Sequence, residues 1–84
     1  LQYTTISETN MEVMEMVANE KSKVLNIPLK DVKLPENSLV GAIISEEGSV
    51  FIPSGDTEIN PHDKVIMVSM PENVPKLRSI IECT

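Results

Sequence analysis

The sequence predicts an α+β fold: a small mixed or antiparallel β-sheet of four to five strands, with a short helix and a C-terminal helix packed on it. Three observations carry this. Apolar runs rich in Val and Ile recur at Leu39–Ile44, Val50–Ile52 and Val65–Val68, and branched side chains suit a pleated, half-buried surface. Turn-forming stretches separate them: E-E-G at 46–48, P-S-G-D at 53–56 and N-P-H-D at 60–63. Finally, Val74, Leu77, Ile80 and Ile81 fall on one stripe at helical spacing.

From the N-terminus, Tyr3–Ile6 reads as a short strand, and the polar cluster Ser7–Asn10 as a turn. Residues 1–10 are expected to be a linker or a short strand from a preceding domain, and 11–84 the domain itself. Met11–Ala18 carries apolar residues on both faces. It reads as an edge strand, antiparallel to Tyr3–Ile6, with Glu12 and Glu15 on the wet side. Ser22 is a candidate cap. Pro28 forbids an uninterrupted helix but suits the first turn of a short one over 28–32, with Leu29 and Val32 facing inward. Pro35 fits position i+1 of a β-turn leading into the first Ile-rich strand. That strand and the next form a hairpin. Lys64–Met70 is apolar on both faces, as a central strand should be. Pro75 places the start of the last helix near Asn73 or Val74, with Asn73 as its N-cap.

Composition limits what the chain can do. Eighty-four residues form one domain at most. A domain of this size has a thin stability margin, and with a single cysteine, Cys83, it has no internal disulfide. A second copy is a plausible stabiliser, so a homodimer is expected. One free Cys also fits a reducing, cytoplasmic setting. The net charge of −6 argues against nucleic acid, which needs a basic stripe, and against anionic lipid. No apolar run is long enough to span a bilayer, so direct membrane insertion is not expected.

No residue set points to catalysis, so no enzyme activity is expected. Gly41, Gly48 and Gly55 form neither a dinucleotide fingerprint nor a P-loop. Gly41 reads as a strand glycine at a close backbone approach, and the other two as turn glycines. Pro53, Gly55, Asp56 and Asp63 read as a structural turn motif, with the aspartates accepting backbone N–H bonds. His62 is the only histidine, and no nucleophile or metal set surrounds it in the sequence. The methionines read as core filling. Cys83 reads as an inert thiol in the last helical turn.

L-P-x-x-S-L-V-x-A-I-I, followed by a hairpin into V-F-I-P-S-G-D-T-x-I-x-x-x-D-K-V-I-M-V, resembles the TrkA C-terminal (RCK-C) domain family over Met11–Ile81. The most specific stretch is Ile52–Val65. The resemblance implies a cytoplasmic regulatory module of a Trk- or Ktr-type potassium transport protein, or of another cation transporter, antiporter or channel, at the inner face of the membrane. There it would form a homodimer and act on a membrane-embedded transporter subunit through the full-length protein. It also implies cyclic di-adenosine monophosphate (cyclic di-AMP), or another small ligand, in the dimer cleft. Ile43, Ile44, Ser45 and His62 are the candidate contacts; no metal and no further cofactor is implied. Many relatives carry an Arg after the A-I-x strand, where this chain has Ser45 followed by Glu46 and Glu47. That change supports a rival reading, a structural dimerisation module without a ligand. The expected dimer surface is the hairpin with Met11–Val17.

Overall fold

Strand alternation and one helical stripe together define a covered and an uncovered face. In the computed structural model, which describes residues 2–5 and 10–83, five strands form one sheet. They are β1 (Gln2–Thr5), β2 (Glu12–Val17), β3 (Ser38–Ile44), β4 (Val50–Phe51) and β5 (Lys64–Ser69), in the order β1-β2-β5-β3-β4. Every pairing is antiparallel. β5 lies at the centre, as its apolar composition predicts, and β3–β4 is the expected hairpin. β1 pairs with β2 as anticipated, Gln2 opposite Glu15 through Thr5 opposite Glu12. Most of the turn read at Ser7–Asn10 lies outside the described residues.

The covered face is set by period two. Met14 and Met16 of β2, Val65 and Met67 of β5, and Ile43 of β3 are all at most 1% exposed. Leu77 and Ile81 pack into the same cluster from the helical segment above. Three of the five methionines, Met14, Met16 and Met67, are therefore core, as read. β2 departs from its reading. It lies between β1 and β5 rather than at an edge. Glu12 shares a side with Met14 and Met16 and is buried, whereas Glu15 is on the other side. Strand alternation alone dictates this, because i, i+2 and i+4 share a face.

The C-terminal helix is also more articulated than its stripe suggests. A 3-10 turn at Pro71–Asn73 leads into α1 (Val74–Leu77), and a π-helical turn follows at Arg78–Glu82. Asn73 holds the N-cap position, as read, but its side chain makes no capping hydrogen bond. It has helical φ/ψ, and its amide donates to Glu36 O and Ser69 Oγ, tying the helix start to the turn before β3. Helices leave their last four carbonyls without intrahelical donors. Here the 19–23 loop supplies two of those carbonyls with donors: Ser22 Oγ and Lys23 N–H donate to Ile80 O, and Asn19 Nδ2 to Glu82 O. Ser22 thus caps the end of the last helix rather than starting one of its own. Cys83 lies beyond that end, exposed, at φ 59°.

The short helix is a 3-10 turn, Leu29–Asp31, with Pro28 just before it. Gly41 lies where the β3–β5 register shifts, between Val40 and Ala42. A Cβ there would meet Ile66 O at an ordinary 3.7 Å. It therefore marks a β-bulge, not the close approach read from sequence. Gly48, at φ 97°, ends the hairpin loop in a region that side chains avoid.

Leu77→Ala should cost about 2–5 kcal/mol, whereas Lys76→Ala, next to it on the helix but exposed, should stay within about 0.5 kcal/mol. Urea midpoints test this, and equal costs would contradict the assignment of the covered face.

Candidate functional site

β-strand pairing places a second set of side chains on the face without a helix. Val13 lies opposite Val68, and Val68 opposite Leu39; Glu15 lies opposite Ile66, and Ile66 opposite Ala42. Val17 lies opposite Lys64, Lys64 opposite Ile44, and Ile44 opposite Val50. The bulge at Gly41 reverses the alternation within β3, so that Leu39 and Ile44 share this face despite their odd spacing. The result is an apolar surface with one acid and one base in it. Leu39 is 63% exposed and Val50 65%. Ile52, just beyond β4, is 78% exposed. A contiguous apolar patch open to water marks an interaction surface more often than a plain exterior.

The candidate ligand contacts separate on this frame. Ile43 is fully buried against Val65 and the rest of the core, so its side chain is committed to packing. Ile44 is on the uncovered face, at the end of β3. Ser45 follows it and closes the hairpin: its N–H donates to Ser49 O at 2.8 Å, and its hydroxyl accepts from Ser49 N–H at 3.1 Å. His62 lies two residues before Lys64, and Lys64 lies opposite Ile44. Ile44, Ser45 and His62 are therefore at one end of the sheet. His62 is in the left-handed region at φ 72°, and its N–H donates to Ala18 O at 2.6 Å. Its Nε2 lies 3.6 Å from Glu20 Oε1, with both side chains largely in solvent.

Lys64 is the group the sequence reading passed over. It is exposed, is in none of the described ion pairs, and stands on the uncovered face beside Ile44. The alternation that places Ile66 and Val68 on that face could have found it. Glu46 and Glu47 are exposed at the hairpin tip. Lys64 thus puts a cation from β5 at this end of the sheet, where the turn carries acids, and Lys21 lines a hollow with His62.

The turn motif divides its roles. Asp63 is buried, and its Oδ2 accepts Asn60 N–H at 2.9 Å, as anticipated. Asp56 does not cap a turn; its carboxylate pairs with Lys30 Nζ at 2.9 Å, in solvent. Ser54 and Thr57 bond the turn instead, Thr57 Oγ1 accepting Ser54 N–H and Ser54 Oγ accepting Asp56 N–H. Gly55 O accepts Lys30 N–H, and a Cβ on Gly55 would come within 3.4 Å of Lys30 Cβ. Pro53, half-buried, lines a cleft of about 280 Å³ with Leu29, Leu34 and Val40. Among the described residues no group of three or more His, Cys, Asp or Glu side chains is arranged to hold a metal ion.

A family profile described as the TrkA-C domain matches residues 13–82. The chain belongs to this family. A Trk system potassium uptake protein TrkA homolog from Pyrococcus abyssi is 34% identical over 71 residues, covering 84% of this chain and 31% of that relative. TrkA homolog 1 of Methanosarcina mazei is 36% identical over 67 residues, covering 80% of this chain and 15% of the relative. This TrkA-C chain therefore spans a third or less of these relatives. A solved structure described as "Structure of RCK domain with cda" superposes with a TM-score of 0.70 at 24% identity, over 82% of this chain and 96% of that one. That likeness bears on the fold. Among the described residues no helix is long and apolar enough to cross a membrane.

Asp63→Ala should cost about 1–3 kcal/mol, because it leaves a part-buried N–H without its acceptor. Asp56→Ala should cost under about 1 kcal/mol, its ion pair being exposed. Chemical denaturation of the two variants checks the order.

Proposed function

We propose that this domain is a cytoplasmic regulatory module of a Trk- or Ktr-type potassium transport protein. In this reading it pairs with a second copy and senses a small anionic ligand. It acts on a membrane-embedded transporter subunit through the longer protein. The observation that carries the reading is the apolar sheet face left without a helix, from Val13 to Val50. A small domain gains stability by covering such a face with its own copy. The pairing surface proposed here takes in the hairpin and β2, the regions expected to dimerise.

Family membership makes cyclic di-AMP the first ligand to test. Ile44, Ser45, Lys64 and His62 are the residues that would meet it, with Lys64 taking the place of the missing turn Arg. The ligand would favour one dimer arrangement and shift the population coupled to the transporter. A second reading, dimerisation without a ligand, draws on Glu46 and Glu47, which would repel an anion.

Calorimetric titration of cyclic di-AMP, with the solution mass followed by light scattering, should give a dimer that binds one ligand. Lys64→Ala should weaken that binding about five- to tenfold, the loss of one exposed charge contact. A dimer without binding would favour the second reading, and a monomer would remove both.

A further inference from the structure

The net charge of −6 hides a local reversal of sign. Four of the chain's seven Lys and Arg residues, Lys21, Lys23, Lys30 and Lys33, fall within thirteen positions, and Asp31 is the only acid among them. The fold lays this stretch against the C-terminal helix, because Lys23 N–H and Ser22 Oγ are tied to Ile80 O. Between the 3-10 turn and the helix end lies a groove of about 270 Å³. Val24, Ile27, Val32 and Ile80 supply its apolar lining, and Lys23, Lys33 and Asp31 its polar rim. Lys23 and Lys33 are exposed and are in none of the described ion pairs. Lys76 is one helical turn from Ile80, which places a third exposed cation near the rim.

We infer that this groove docks an acidic, apolar segment of a partner polypeptide. The shape fits that occupant: the volume suits one or two Leu-sized side chains, and the flanking lysines suit carboxylates on either side of them. A bilayer surface is a poorer fit, since lipid is met by apolar side chains that protrude, whereas these line a concavity. The groove is separate from the uncovered sheet face: its residues come from the 23–33 stretch and Ile80, and none comes from the strands that form that face. The domain can therefore hold a second copy and a partner at once.

The test titrates the ¹⁵N-labelled chain with the capped peptide acetyl-Glu-Asp-Leu-Leu-Asp-Glu-amide at low salt, following amide shifts. Shifts should concentrate at Val24, Ile27, Val32 and Ile80. Affinity should fall by about tenfold or more in the Lys23→Glu/Lys33→Glu variant, two exposed charge contacts being reversed. Added salt should weaken the binding. Both lysines are exposed, so the variant should melt as the parent does. The docking site is overturned if the peptide leaves the groove amides unmoved. It is also overturned if the Gln/Asn version of the peptide binds equally well. Lysine-dependent sedimentation with phosphatidylcholine–phosphatidylglycerol vesicles, without a peptide response, would assign the patch to lipid and equally overturn the proposal.

Discussion

The packing of Leu77 and Ile81 into Met14, Met16, Val65 and Met67 is the contact on which the rest depends. The sheet has two faces, and among the described residues one helical segment is long enough to cover one of them. Once that segment is seated, β2, β5 and β3 each have their register fixed, because a one-residue slip would turn every core side chain outward. The aliphatic and thioether core suits this role. With one Phe and one Tyr in the chain, close contact depends on flexible Met side chains that fill irregular gaps.

The same constraint generates the uncovered face and the groove. Covering one face leaves Val13, Ile66, Leu39 and Ile44 on the other, with Glu15 and Lys64 among them. Holding the helix end requires donors for its last carbonyls. The 19–23 loop provides them, and in doing so carries the basic stretch to the helix and forms the second groove. The uncovered sheet face and the groove thus draw on different residues around one core.

Much of the fold was legible in the sequence. The three Val/Ile runs, the hairpin, the central place of Lys64–Ser69 and the stripe from Val74 to Ile81 all follow from period and turn chemistry. So did the core methionines and the turn role of Asp63. Where the local reading went astray, a distant partner had intervened. Asn73 does hold the N-cap position, yet its amide bonds to Glu36 and Ser69 instead of capping the helix. Asp56 has the composition of a turn cap, yet Lys30, 26 residues away, takes its carboxylate. Glu12 was placed in water because Glu is usually exposed, but alternation with Met14 and Met16 outweighed that preference.

By itself the sequence determined which segments are strands, where the chain turns, and the family it resembles, because these depend on spacing and residue type over a few positions. Only the tertiary structure decided which of Ile43 and Ile44 faces water. The bulge at Gly41 sets that phase, and its position is fixed by pairing with β5. Only the tertiary structure placed Lys64 beside Ile44, and Lys23 and Lys33 around an apolar groove. Each of those neighbourhoods joins residues far apart in the chain, and long-range packing alone brings them together.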